Sequence, residues 1–167
     1  MGRSNVGKSS LINALVRRPV ARTSAAPGKT RLANFYRVQR GTARPLYLVD
    51  LPGYGYARGG DSAAKEFRGL IDAYFAREGA RGVLLLVDSR HPGLESDRDA
   101  WGWLQTLPCP REIVGTKVDK LTRAERTRHL RELQTVYDAP VTLVSADTGE
   151  GLDELWKMIA RLPRAEA

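Results

Sequence analysis

The residues most capable of chemistry open the chain, where a GxxxxGKS phosphate-binding loop occupies positions 2 to 9. Its two glycines let the backbone turn so that successive N–H groups point inward at phosphate oxygens. Lys8 is placed to reach the β- and γ-phosphates of a nucleotide, and the Ser9 hydroxyl is placed to bind Mg²⁺. A helix should begin near Lys8 and add its positive N-terminal dipole to the site. The predicted nucleotide contacts in this loop are Gly2, Arg3, Ser4, Asn5, Val6, Gly7, Lys8 and Ser9.

A second motif is suited to Mg²⁺ and to the γ-phosphate. Asp50, Leu51, Pro52 and Gly53 form a DxxG sequence directly after an apolar strand. An acid in this position holds Mg²⁺ through a water molecule, while the N–H of the glycine meets the γ-phosphate. A DxxG on its own is a common turn, and its position downstream of a phosphate loop makes it specific.

The loop between the first predicted helix and the next strand is rich in small and polar residues. Thr30 lies in this loop, where its hydroxyl would complete the Mg²⁺ shell only while a γ-phosphate is present. Ser9 and Thr30 are therefore the predicted metal ligands, and the loop is a predicted switch. Its expected nucleotide contacts are Gly28, Lys29, Thr30, Arg31 and Leu32.

The sequence Thr116-Lys117-Val118-Asp119 follows a predicted strand and indicates which base is bound. The Asp119 carboxylate would accept hydrogen bonds from N1–H and the exocyclic amino group of guanine, while the Lys117 stem covers the base. Adenine offers neither donor and would leave the carboxylate unpaired, and sites of this kind discriminate by about 10⁴–10⁵. We therefore expect GTP, with GDP as its product, and not ATP.

Strands and helices alternate along the chain at the spacing of βαβ units. Apolar residues at helical spacing predict helices over 8–16, 67–75, 97–107, 122–137 and 150–162, and apolar runs predict strands over 35–39, 46–50, 83–87, 111–116 and 141–145. This pattern indicates an α/β fold of the P-loop NTPase type, with a mostly parallel central sheet and helices on both faces. Ligands bind such sheets at the carboxyl ends of the strands. The last strand ends at Val144, Ser145 and Ala146, where a backbone N–H can meet the guanine O6, although this signal is weak in isolation.

The net charge of +8 is unevenly distributed. Residues 1–49 hold ten Lys or Arg and no Asp or Glu, whereas the remainder holds 17 basic and 19 acidic residues. This surplus favours a second polyanion, RNA or the ribosome, over the alternative of a basic surface kept for solubility. The single cysteine, Cys109, excludes an internal disulfide and fits a cytoplasmic location. No apolar run reaches the ~18–20 residues of a membrane span, so no membrane partner is expected.

In the order and type of its motifs, the chain resembles one bacterial family closely, the EngB (YihA/YsxC) GTPases. The residues that carry the match are GRSNVGKSSLINAL at 2–15, ARTSAAPGKT at 21–30, DLPGYGYA at 50–57 and TKVDK at 116–120. The resemblance implies a TRAFAC-class GTPase that uses Mg²⁺, binds the precursor of the 50S ribosomal subunit and is needed for normal cell division and septation. We expect one domain over residues 1–167, acting as a monomer.

The resemblance also bears on catalysis, for which the candidate residues are Lys8, Asn5 and Thr30. Many GTPases have Gln after the DxxG glycine to orient the attacking water, but Tyr54 stands there in this chain. GTPases with Asn at the position of Asn5 often bind K⁺ beside the phosphates, so the resemblance implies K⁺ as a possible activator. The alternative is that Asn5 only stabilises the loop.

The chain departs from the family pattern in three places. Arg31 stands where the family usually has Gln, and the basic C-terminal extension is reduced to Arg161 and Arg164. The central first strand that precedes the phosphate loop in the family is not in this sequence, so we expect the chain to fold loosely. Two alternatives therefore stay open beside a GTPase: a nucleotide-gated RNA- or ribosome-binding module with incidental hydrolysis, and an inactive truncated fragment.

Overall fold

Strands and helices alternate in the computed structural model, which describes residues 1–22, 33–54, 69, 71–75 and 82–162. The helices are α1 (Lys8–Val16), α2 (Glu95–Gln105), α3 (Arg123–Tyr137) and α4 (Leu152–Arg161), with a 3₁₀ turn at Val118–Lys120. The strands are β1 (Asn34–Val38), β2 (Leu46–Asp50), β3 (Val83–Asp88), β4 (Arg111–Thr116) and β5 (Val141–Leu143). Residues 71–75 are also helical. In the part of the chain that these ranges cover, no helix is long and apolar enough to cross a membrane.

The strands form two sheets. β3, β4 and β5 pair in parallel in that order, with Leu85 opposite Ile113 and Ile113 opposite Val141. β1 and β2 form an antiparallel hairpin in which Tyr36 lies opposite Leu48. Parallel neighbours require crossover connections, and α2 and α3 provide them. The carboxyl ends of the parallel strands therefore lie at one edge of the sheet.

Two apolar cores lie on opposite faces of β3 and β4, because alternate residues of a strand point to opposite faces. Leu86 and Val114 pack with α1 and α4 on one face. Leu85, Val87 and Ile113 pack with α2 and α3 on the other. The strand run at 83–87 is apolar without interruption because both of its faces are covered. The predicted arrangement of helices on both faces is confirmed.

The first residues of the chain run between the two sheets. The backbone N–H of Leu86 donates to the Met1 carbonyl over 2.8 Å. Gly2 forms a parallel bridge to Leu86, and Arg3 forms a parallel bridge to Tyr54. Behind these bridges lies a cleft of about 150 Å³, lined by apolar side chains of α1, β2, β3 and α4 that include Leu11, Leu15, Leu46, Leu48, Leu84 and Ile159.

Element boundaries differ from the predicted ones in three informative places. β5 ends at Leu143, two residues before the predicted end, because the chain turns into the loop that Ser145 holds. α2 begins at Glu95, two residues earlier than predicted, after the turn at Gly93. α3 begins at Arg123 because a capping box precedes it, in which the Glu125 N–H donates to the Thr122 hydroxyl oxygen. The predicted helix over 67–75 lies partly outside the described residues.

The cleft gives the first prediction. A strand-length apolar segment fused to the amino end of Met1 would enter the cleft and pair with β2, and each buried apolar side chain contributes about 1.5–3 kcal/mol. Three such side chains should raise the Tm by about ten degrees or more, measured by calorimetry. A Gly/Ser/Asp segment of equal length is the control, and equal midpoints for the two extended chains would contradict the prediction.

Candidate nucleotide-binding site

The phosphate loop is shaped by two residues with left-handed backbone angles. Asn5 has a φ of 63° and Gly7 a φ of 104°, and α1 begins at the following residue, Lys8. This geometry turns the loop around the amino end of α1, where unpaired N–H groups and the helix dipole favour an anion. The amino end of α1 is therefore suited to a phosphate group.

Lys8 is held at the centre of this loop. Its Nζ donates to the carbonyl oxygens of Gly2 over 3.0 Å and of Arg3 over 2.9 Å. Burial lowers the pKa of Lys8 to about 8, an effect that the nearby Asp50 carboxylate opposes. A phosphate would compensate the loss of solvation of this ammonium group.

Ser9 and Asp50, two of the residues predicted to lie around Mg²⁺, are close together beside Lys8. The Ser9 hydroxyl donates to Asp50 Oδ2 over 3.1 Å, and Asp50 is 3% exposed. The other carboxylate oxygen, Oδ1, is buried and has no hydrogen-bond partner among the described residues. Burial raises the pKa of Asp50, and the Lys8 charge opposes this. A buried carboxylate with one unpaired oxygen beside a hydroxyl fits a hard cation that takes its other ligands from phosphate and water.

Gly53 packs directly against the phosphate loop. A Cβ atom on this residue would lie 2.7 Å from the Ser4 nitrogen and 2.8 Å from Lys8 Nζ, so no larger residue fits. The adjacent backbone is fixed by a hydrogen bond of 3.2 Å from the Ser4 N–H to the Tyr54 carbonyl. The DxxG sequence thus lies directly against the phosphate loop, as its predicted contact with a γ-phosphate requires.

The end of β4 fastens the phosphate loop to the sheet. The buried Thr116 hydroxyl lies 2.7 Å from the Val6 carbonyl oxygen and 3.1 Å from the Val87 carbonyl oxygen. Lys117, whose φ of 62° is left-handed, donates from Nζ to the Asn5 carbonyl over 2.7 Å. The motif predicted to bind the base therefore also positions the phosphate loop.

The predicted guanine contacts lie together at the carboxyl ends of β4 and β5. Ser145 is fully buried, and its hydroxyl donates to Asp119 Oδ1 over 2.6 Å. The backbone N–H groups of Asp147 and Thr148 donate to the same hydroxyl. The Ser145 hydrogen bond lowers the pKa of Asp119, with a further contribution from Lys120 at 3.0 Å. The carboxylate is thereby held ionised and oriented for two N–H donors.

The structure brings the phosphate loop, Asp50–Gly53 and Thr116–Asp119 to one edge, with Val144–Ala146 beside Asp119. The remaining predicted contacts, Gly28, Lys29, Thr30, Arg31 and Leu32, lie outside the described residues.

Two buried acids of the site were not predicted from the sequence. Asp88, at the end of β3, lies 3.0 Å from Lys117 Nζ and accepts two hydrogen bonds from the Arg90 guanidinium. These partners hold the pKa of Asp88 well below its usual range, despite its burial. Asp97 of α2 accepts a hydrogen bond of 2.8 Å from the Tyr54 hydroxyl. The only sequence signal was an acid closing an apolar strand, in the case of Asp88.

Comparison with known proteins agrees with this geometry. A family model described as "50S ribosome-binding GTPase" matches residues 1–117. A "Probable GTP-binding protein EngB" from Pelotomaculum thermopropionicum is 43% identical over 166 residues, covering 96% of this chain and 82% of the relative.

Solved structures share the fold. Era in complex with MgGDPNP and nucleotides 1506–1542 of 16S ribosomal RNA superposes with a TM-score of 0.83 at 23% identity, over 96% of this chain and 54% of that one. NFeoB from S. thermophilus bound to GDP.AlF4⁻ and K⁺ superposes with a TM-score of 0.73 at 22% identity, over all of this chain and 62% of that one.

Fold and site together define a P-loop GTPase domain. Within that class, the identity to its relatives shows that the chain belongs to the EngB family of GTP-binding proteins.

The position of Asp119 gives the second prediction. Asp119→Ala removes the acceptor for both guanine donors and should lower the affinity for GDP by about 100-fold or more. The affinity is measured with a fluorescent GDP analogue, and GTP and ATP serve as competitors. The matched control is Asp153→Ala, which removes an exposed carboxylate of α4 that pairs with Arg40. Equal loss of affinity in both variants would contradict a base-recognition role for Asp119.

Proposed function

We propose that this GTPase binds GTP with Mg²⁺, hydrolyses it to GDP and acts as a switch in assembly of the large (50S) ribosomal subunit. The observation that carries the proposal is the convergence of Lys8, Asp50 and Asp119 at one edge of the fold, each with partners that suit a different part of Mg·GTP. An ATP site has no use for a carboxylate held by Ser145 in the position of Asp119.

Each residue would have a defined part in binding and hydrolysis. Lys8 and the N–H groups of the phosphate loop bind the phosphates and neutralise their charge. Ser9 and Thr30 would hold Mg²⁺ directly, and Asp50 through water. When bound, the ion supplies charge neutralisation to the phosphates. Gly53 would contact the γ-phosphate through its N–H, which couples the DxxG loop to the presence of GTP.

The attacking water needs an orienting group that Tyr54 does not supply. Its hydroxyl is engaged by Asp97, and burial raises its pKa well above the ordinary value, so it stays a protonated donor. We therefore expect slow intrinsic hydrolysis. Asn5 in the phosphate loop supports a role for K⁺, and the similar NFeoB structure is described with that ion and GDP.AlF4⁻.

The proposed partner is the precursor of the 50S subunit in the cytoplasm, with a consequent role in cell division and septation. The matching family model carries the description of a 50S ribosome-binding GTPase, and the similar Era structure contains ribosomal RNA. The basic residues 1–49 support the same partner, because their exposed arginines are available to RNA phosphates. These arginines include Arg17, Arg18, Arg22, Arg37 and Arg44.

One observation favours a second candidate, an RNA-binding module gated by the nucleotide in which hydrolysis is incidental. The Tyr54 side chain, which follows Gly53, is hydrogen-bonded to Asp97 of α2 and is therefore not placed to orient the attacking water. In that case nucleotide exchange, not hydrolysis, would reset the protein.

The proposed role of Asn5 gives the third prediction. GTP hydrolysis in K⁺ should be about tenfold faster or more than in Na⁺ at equal ionic strength, measured by phosphate release. Asn5→Gly keeps the left-handed backbone and removes the side chain, and it should abolish the difference while leaving GDP affinity unchanged. Equal rates of hydrolysis by the wild type in both salts would contradict K⁺ activation. If those rates also stayed negligible in the presence of 50S particles, the result would favour the second candidate.

The proposed partner gives the fourth prediction. The protein should pellet with purified 50S subunits through sucrose in the presence of a non-hydrolysable GTP analogue, less so with GDP, and in a salt-sensitive manner. Arg18→Glu/Arg44→Glu should weaken this binding about tenfold or more. The control is Arg123→Glu/Arg131→Glu, which makes the same charge change at exposed positions of α3. Equal binding by the two double variants would contradict a specific contact with residues 1–49.

A further inference from the structure

One buried acid has no part in the binding of base, phosphate or metal described above. Asp97, in the first turn of α2, is fully buried. Its Oδ1 accepts a hydrogen bond of 2.8 Å from the Tyr54 hydroxyl and lies 3.3 Å from Arg3 Nε. The carboxylate thus joins α2 to two different loops.

Both partners belong to the nucleotide site. Arg3 is in the phosphate loop, and Tyr54 directly follows Gly53. Their backbones form a parallel bridge, and the Ser4 N–H donates to the Tyr54 carbonyl. Asp97 therefore holds, from one side, the two segments that would meet at the γ-phosphate.

Packing alone does not account for a carboxylate at this place. Asp97 Oδ2 is buried without a hydrogen-bond partner among the described residues, and burial raises the pKa of Asp97. A leucine, whose heavy atoms branch in the same way, would avoid that desolvation penalty. What leucine cannot do is accept a hydrogen bond from Tyr54, so the acid is suited to fixing the position of that side chain.

We propose that Asp97 is a positioning residue for γ-phosphate recognition, which anchors the Tyr54 hydroxyl and so holds the Gly53 N–H against the phosphate loop. The proposal rests on the nucleotide site proposed above. Asp97 touches neither nucleotide nor metal and acts through Tyr54.

The proposal separates GTP from GDP. Only GTP has the γ-phosphate that Gly53 would contact, so loss of the anchor should weaken GTP binding and leave GDP binding unchanged. A merely structural role would instead weaken both nucleotides equally or lower the Tm alone. The ratio of the two affinities is therefore the decisive readout.

Three variants and a control test this. Tyr54→Phe removes only the hydroxyl, Asp97→Asn keeps an acceptor oxygen, and Asp97→Leu removes it. The control is Tyr137→Phe, which removes a second buried hydroxyl near Asp97. The Asp97 charge helps to raise the pKa of Tyr137, but the Tyr137 hydroxyl has no hydrogen-bond partner among the described residues.

Affinities for GDP and for a non-hydrolysable GTP analogue are measured on the full chain with Mg²⁺. We expect Tyr54→Phe and Asp97→Leu to lower the preference for the analogue about tenfold, Asp97→Asn to lower it less, and Tyr137→Phe to leave it unchanged. The double variant Tyr54→Phe/Asp97→Leu should be no worse than Asp97→Leu alone, because that single variant already removes the hydrogen bond from Tyr54.

An unchanged ratio in Tyr54→Phe, with wild-type protein that binds both nucleotides, overturns the role of Asp97 and leaves the proposed function intact. Additive losses in the double variant overturn it as well. A wild-type chain that binds neither nucleotide overturns the proposed site itself, and the role of Asp97 with it.

Discussion

The nucleotide site depends on hydrogen bonds that run from the end of β4 to the carbonyl groups of the phosphate loop. Thr116 contacts Val6, and Lys117 contacts Asn5, so the loop is fixed by the same short segment that ends at Asp119. The distance between the phosphate-binding and base-binding groups is therefore set by one short segment and its hydrogen bonds to the loop. The Thr116 hydroxyl is enough to join the loop to the sheet, because it lies within hydrogen-bond distance of the Val6 carbonyl on one side and the Val87 carbonyl on the other.

Electrostatics reinforce this arrangement. Asp88 lies buried at the end of β3 with Arg90 on one side and Lys117 on the other. Its fixed negative charge keeps the Lys117 ammonium group beside the loop, and Arg90 closes the pair from the solvent side. A buried charge is tolerated here because it is paired twice and hydrogen-bonded, as the cost of desolvation requires.

Local patterns were sufficient to predict most of the elements, since strand β3 is an apolar run and α1 follows a phosphate loop. The predicted end of β5 was wrong because Val144 and Ser145 continue the apolar sequence of the strand. Only hydrogen bonds formed in the folded loop show that the strand ends at Leu143. The meeting of the phosphate loop, Asp50–Gly53 and Thr116–Asp119 at one edge could be predicted, because each motif is contiguous in sequence and two of them follow strands. Asp88 and Asp97 could not, because a sequence gives the type of a charged residue but not the partners that long-range folding brings to it.

The hydrogen bond from Ser145 to Asp119 also prepares the carboxylate for its ligand. It lowers the pKa of the carboxylate, and the folded structure supplies it before any ligand arrives. The backbone N–H groups of Asp147 and Thr148 hold the Ser145 hydroxyl in turn, so the fold itself sets the orientation of the carboxylate. A guanine base would then meet a carboxylate that has little rotational freedom left to lose on binding, which favours affinity.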